Sequence, residues 1–457
     1  MNKTESLKYK TNIMKPRFFA VTAMVLMPVT IIIAQANSGE MKLTLKEAQE
    51  YALSNNKLVL TAKSDVRASR IALWETISAA LPQVNASGSF IDNLKLTTFL
   101  LPGELIGQPG EKIPVTFGSQ FNSGASVEAS MLIFNAPLYI GIETTKLAQK
   151  LSQENLAKSE LDTKESVSTA YFLILVSEKS LELLNGNIAN LNETLKSTRA
   201  MFSVGMAEST DVDQMVTNVT MVENNRSSLE RTIELNYNIL RFQLGVPVTT
   251  NITLTETLED LTDEIDVEAL LSQDFDHTRN VDYKLVEGQE LMSSLALKSQ
   301  KASVIPTLVG FYNYGTTGMG DKISDLRWFR NSAIGLSLSV PIISSGQRYA
   351  GIKRAQIDLE KAKTTKDMVT EQLLLQEKQL RYNLVNANLQ YKSQLENTEV
   401  SKRVYASVEN KYKQSMASSL ELTQANSQYL QAENNYVSAL MNLLQTKVAL
   451  DKLLNNM

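Results

Sequence analysis

Chemistry in a chain of 457 residues would call for nucleophiles, metal ligands or paired acids, and few are present. There is no cysteine, which removes disulfides, thiolate catalysis and thiolate-held metals. His277 is the single histidine, so no histidine cluster can hold a metal. The acids with most to do stand where long helical stretches break. Asp211 follows Met201-Phe202-Ser203-Val204-Gly205-Met206-Ala207, and Glu421 follows Tyr412-Lys413-Gln414-Ser415-Met416-Ala417. Gly205 suits a left-handed turn, and the dipole of the next helix favours an acid in its first turn. Copies of Glu421 brought together by oligomerisation could make a negative ring that favours cations; otherwise the residue is a solvated helix side chain. Either role is electrostatic. No constellation of histidine, cysteine or paired carboxylates reads as an enzyme, and no cofactor is expected.

The elements that would position these acids are long helices. Leu181, Leu184, Ile188, Leu191, Leu195, Thr198 and Phe202 recur at alternating spacings of three and four. Val212, Met215, Val219, Val222, Arg226, Leu229 and Ile233 do the same on a returning arm. Heptad spacing of this kind pairs two arms as a coiled coil. The pattern predicts helices from about residue 146 to 200 and from about 353 to 411, each roughly 80 Å or longer. Such a rod is too long for a compact domain and suits a gap that must be bridged.

The chain reads as two copies of one plan. Leu81-Pro82 recurs as Ile305-Pro306, Phe134-Asn135-Ala136-Pro137-Leu138 as Leu338-Ser339-Val340-Pro341-Ile342, and the break around Gly205 as the break around Ser415. A single period near 210 residues is a duplication and not a solenoid. Each copy holds two strand candidates. From Phe121 to Ile133 apolar and polar residues alternate, and from Ser332 to Val340 Ile334, Leu336, Leu338 and Val340 share one face. Their partners are Val84 to Asn93 and Thr307 to Tyr314. Phe90, Phe311, Tyr312, Tyr314, Trp328 and Phe329 could form an aromatic girdle, or equally could pack within loops. Leu96 to Gln120, with three prolines, reads as an irregular loop whose apolar content would fold it over a mouth.

Basic residues up to Arg17, an apolar run from Phe18 to Ala34 and the small-residue pattern Ala34-Gln35-Ala36 predict an export signal over residues 1–36. Its removal would change the net charge from −4 to −8. No basic patch stands out, which argues against a nucleic-acid partner. No later stretch is long and apolar enough for a membrane helix, so entry into lipid would need a closed β-barrel. Four strands cannot close one alone. Eight from a dimer or twelve from a trimer could, giving a pore with a helical tube beneath it.

Thr44-Leu45-Lys46-Glu47-Ala48 with Ala80-Leu81-Pro82, the turn Val340-Pro341-Ile342-Ile343-Ser344-Ser345-Gly346-Gln347-Arg348, and Phe202-Ser203-Val204-Gly205 with Asp211-Val212 resemble the TolC family of outer-membrane factors. The resemblance implies a mostly α fold with a β-barrel part. It implies a homotrimer in which four transmembrane strands per chain make a twelve-stranded β-barrel and the long coiled-coil hairpins make an α-helical barrel. The expected organisation is a signal (1–36), a first repeat (37–247; strand pair 84–134, helical hairpin 138–245), an equatorial connection (248–298) and a second repeat (299–457; strand pair 306–340, helical hairpin 346–455). The implied function is a passive exit duct of a tripartite efflux or type I export system. The implied partners are sister chains, outer-membrane lipid, a periplasmic adaptor and an inner-membrane transporter. It places adaptor-docking tips at Val204, Gly205, Met206, Gln414, Ser415 and Met416, and a pore constriction at Asp211, Glu421 and Gln424. Ser415 stands where the family carries glycine, Ala417 where gated members carry a base, and Gln424 where a second acid can occur. The rival reading is a structural or adhesive coiled-coil envelope protein without a conduit.

Overall fold

A computed structural model describes residues 40–102, 112–263 and 265–457; the expected export signal lies outside these residues. The same series of elements runs through the chain twice. Strand β1 (Met41–Leu43) and helix α1 (Leu45–Asn55) lead into the first series: α2 (Lys57–Ser78), β2 (Gln83–Asp92), a small hairpin β3 (Thr97–Pro102) and β4 (Lys112–Phe117), β5 (Phe121–Phe134), α3 (Ala136–Ser203) and α4 (Ser209–Leu244). A short connection follows, of β6 (Ile252–Leu254), α5 (Leu258–Asp263) and α6 (Val267–Ser272). The second series is α7 (Val281–Ala302), β7 (Thr307–Gly320), β8 (Arg327–Ser339), α8 (Gln347–Lys413) and α9 (Ser419–Leu454). Helices α2 and α7 each have 22 residues, α3 and α8 have 68 and 67, and α4 and α9 have 36 each. Helix α7 begins inside the stretch expected to be connection.

The long helices exceed the expected length at both ends, reaching roughly 100 Å. The placement of proline permits such lengths. Pro137 occupies the first turn of α3, where a missing N–H costs nothing, and no other described helix contains one. The start of α3 is fixed by Asn135, whose side chain accepts from the Leu138 N–H at 2.9 Å.

Strands β2, β5, β7 and β8 form one antiparallel sheet in that order, so the two copies lie side by side through the β5–β7 pairing. The register sorts the side chains. Val127, Ala129 and Met131 share a face with Tyr312, Tyr314, Ile334, Leu336 and Leu338. Asn85, Ser87, Ser126, Glu128 and Asn313 share the other. Ile334 and Leu336 are 85% and 70% exposed, so no described residue covers this part of the apolar face. Sheet β2-β5-β7-β8 ends in β2 and β8, each with one edge that no described strand pairs.

Two expectations are corrected here. The stretch Leu96 to Gln120 is not an irregular loop, because its described parts pair as the hairpin β3–β4 with Phe99 edge-on to Phe117 at 6.1 Å. Its tip at Pro109-Gly110 lies outside the described residues. Phe311 and Phe329 do not join the outward aromatics. They share the polar face, because strand periodicity places them one residue out of step with Tyr312 and Trp328.

The core lies where the long helices cross the connection. Strand β1 pairs in parallel with β6, and Leu43, Ala48, Ala52, Tyr171, Leu240, Leu244, Ile252, Leu258 and Leu444 bury one another there. The Tyr171 hydroxyl lies 3.2 Å from the Leu43 carbonyl and 3.1 Å from the Glu256 carboxylate, with its one proton shared between them, which ties the β1–β6 pair to α3. Burial, with the Glu256 charge beside it, pushes that hydroxyl well above the ordinary tyrosine range. A second core farther along the rod joins Leu191, Leu195, Met215 and Val222 to Tyr405, Tyr412, Leu422 and Tyr429.

Candidate functional site

The two helical hairpins turn in the same way. At the first, the Met206 N–H donates to the Met201 carbonyl at 2.8 Å and the Gly205 N–H to the Phe202 carbonyl at 3.0 Å. At the second, Met416 N–H donates to Lys411 at 2.8 Å and Ser415 N–H to Tyr412 at 2.9 Å. This pair of hydrogen bonds closes a helix through one left-handed residue. Gly205 holds φ +79° without cost, whereas Ser415 holds φ +60°, which costs a side-chain-bearing residue about 1 kcal/mol. The second tip therefore reaches the geometry of the first without its glycine.

Six residues past each left-handed position stands an acid, and the two are used alike. Asp211 accepts from the Glu208 N–H at 3.0 Å, and Glu421 accepts from the Ser418 N–H at 2.9 Å while Ser418 Oγ accepts from the Glu421 N–H at 3.2 Å. Each acid thus satisfies a donor that the helix start leaves without a partner. Their surroundings differ. Asp211 also receives the Ser419 hydroxyl at 2.5 Å, and this bond, with the Glu208 N–H, holds its carboxyl below the usual aspartate range. Glu421 and Gln424 are exposed, one helical turn apart on the same face of α9.

The tips lie together. Thr198 meets the Tyr412 hydroxyl at 2.9 Å, Asn218 donates to Thr423 at 2.9 Å, and Asn187 donates to Asn426 at 2.8 Å. Together with Asp211–Ser419, these bonds link the α3–α4 hairpin to the α8–α9 hairpin. Sequence reasoning missed Ser419, Asn187, Asn218, Tyr412 and Asn426. Thr198 was placed on the coiled-coil seam as one of its spacers, yet it is buried and hydrogen-bonded across the hairpins. A polar residue in a heptad slot was the available signal.

Both tips end in uncovered apolar side chains. Val204, Met206 and Met416 are 69%, 65% and 67% exposed, and Gln414 and Ser415 are exposed beside them. His277 stacks edge-on to Tyr283 at 5.1 Å, away from both tips in sequence. Among the described residues no group of three or more His, Asp and Glu side chains could hold a metal, and no helix is long and apolar enough to cross a membrane.

The site thus consists of a four-stranded sheet with one apolar face and two helical hairpins whose long arms reach roughly 100 Å. The sequence matches the family model described as outer membrane efflux protein over residues 48–246 and 294–456, and the chain belongs to that family. Its function is the family's, as an outer-membrane efflux channel. It is 21% identical over 320 residues to the outer membrane protein TolC of Vibrio cholerae, across 68% of each chain. The fold is similar to that of the outer membrane protein VceC from Vibrio cholerae, with a TM-score of 0.72, 13% identity, and 90% of this chain and 95% of that one covered. It is likewise similar to the open state of the Neisseria gonorrhoeae MtrE outer membrane channel, with a TM-score of 0.70, 16% identity, and 90% and 88% covered.

Proposed function

We propose that three copies of the chain close a twelve-stranded barrel in the outer membrane, with the helical hairpins forming a tube beneath it, and that the assembly is a passive exit duct for small toxic molecules or proteins. The observation that carries this is the sheet whose edges at β2 and β8 no described strand pairs and whose apolar face, at Ile334 and Leu336, no described residue covers. In lipid an open edge leaves backbone groups unsatisfied at several kcal/mol each, so the strands must be completed by sister chains. Three copies of four strands give twelve, wide enough for a water-filled lumen.

The tips then face the periplasm. Val204, Gly205 and Met206 on one tip and Gln414, Ser415 and Met416 on the other would dock an adaptor protein, which would link the duct to an inner-membrane pump. Exposed methionine and valine at a turn suit an apolar groove in such a partner. The narrowest point would lie at the same end. There Glu421 supplies the free negative charge, Gln424 a neutral neighbour, and Asp211 is held back by Ser419.

The test is direct. The signal-cleaved protein, purified in detergent, should run as an oligomer that heating converts to monomer, and it should pass ions across a planar bilayer. A crosslinker placed at residue 205 in cells should capture one envelope protein with an inner-membrane anchor. A detergent-soluble monomer that never conducts would end the proposal.

A further inference from the structure

We infer that Glu128, halfway along β5, sets the charge preference of the barrel end of the duct, so that cations and cationic cargo pass it more readily than anions. This rests on the trimeric barrel proposed above and goes beyond it by placing a selecting charge far from the helical tips. The register seats Glu128 between Asn85 of β2 and Asn313 of β7, with Ala333 next across on β8, so its strand neighbours are all uncharged. It stands exposed on the polar face, which in a closed barrel is the lumenal one.

The four strands hold only three other charged residues: Asp92, Arg327 and Arg330. Asp92 pairs with Phe121 and Arg330 with Thr316, which puts both on the apolar face. Arg327 shares the polar face but pairs with Met319, six residues beyond Asn313, or roughly 20 Å along the strand. That is about two and a half Debye lengths at 0.15 M salt, too far to neutralise Glu128.

Scale decides whether three carboxylates could matter. Twelve tilted strands spaced about 4.8 Å apart enclose a backbone cylinder roughly 24 Å across. A glutamate reaching inward leaves its carboxylate roughly 7 Å from the axis, less than the ~10 Å screening length at 0.1 M. Three such charges enrich a monovalent cation on the axis roughly fourfold at 0.1 M salt, but only about 1.3-fold at 1 M, where screening shortens to ~3 Å. The preference must therefore fade with salt.

The experiment compares reversal potentials of the full-length channel in planar bilayers, using wild type, Glu128→Gln and Glu128→Cys under KCl gradients. Charge at the tips contributes a constant background, so the readout is the change on substitution. Glu128→Gln and Glu128→Cys should each lower the cation-to-anion permeability ratio about twofold or more near 0.1 M and change it far less near 1 M. The natural chain has no cysteine, so the introduced thiol is unique. A sulfonate-bearing thiol reagent added from the strand-turn side should restore the lost preference, and an ammonium-bearing one should invert it. Conducting channels whose selectivity is indifferent to both substitutions and to both reagents would overturn the inference and leave the barrel standing. A wild-type protein that never conducts would remove the barrel, and the inference with it.

Discussion

Asp211 shows how one residue can be claimed by local structure and by tertiary contact at once. As the third residue of α4 it caps the helix start, and through Ser419 it also ties one hairpin to the other. Its carboxyl is held below the usual value of 3.8, so its stabilising contribution is complete above that pH and is lost as pH falls below it through the lowered value. Ser419→Ala should raise the Asp211 pKa back toward normal and weaken the tip contact by about 1 kcal/mol, allowing for its exposure to water. Carbon-detected titration of Asp211, with hydrogen exchange at residues 206–216, checks both effects; an unchanged pKa would deny the bond its role. Glu433 of α9 is the opposite case. It is 5% exposed, one of its carboxylate oxygens is unpartnered, and burial pushes its carboxyl upward. An acid raised on folding costs stability increasingly as pH climbs from its ordinary value of 4.5 toward the folded one. Glu433→Gln should therefore stabilise the protein by about 1 to 2 kcal/mol at pH 7 and hardly at all at pH 4, measured by urea unfolding.

At the scale of elements, the hairpin β3–β4 is an appendage. The strands it interrupts are closed beneath it, with the Asn93 N–H donating to Gln120 at 2.8 Å and the Asn93 side chain to Ser119 at 3.0 Å. The second copy manages with the short turn between Gly320 and Arg327. Replacing residues 95–118 by a turn of that length should leave heat-stable oligomers and conductance intact, checked by unheated gel migration and bilayer recording. Loss of assembly would mean that Phe99 and Phe117 pack within the oligomer. The alternating pattern of β5 was readable because one face is apolar and the other polar. The β3–β4 pairing was not readable, since prolines at 102 and 114 mark both loops and edge strands.

The whole molecule joins two parts with different needs. The helical rods bury Tyr171, Leu240, Leu422 and Leu444 within one chain, whereas the sheet leaves Ile334 and Leu336 uncovered and two edges open. Folding should accordingly divide. Diluted from urea into buffer without detergent, the chain should regain most of its helical circular dichroism and no heat-modifiable oligomer, and detergent micelles added later should bring the oligomer on. Oligomers formed without detergent would show that the barrel does not need an apolar solvent to close.

Heptad spacing, proline placement and strand alternation are local, short-range constraints, and they determined the rods, the four strands of the main sheet and the duplication from the sequence alone. The breaks in the helical pattern also located Asp211 and Glu421 beside their turns. Which polar seam residues meet across the hairpins was decided by tertiary structure, because Ser419 and Asp211 are 208 positions apart and nothing local marks them as partners. The side-by-side order of the two strand pairs was decided there as well. Both hairpins satisfy their inner edges alone, and only the packing of one copy against the other selects the β5–β7 pairing.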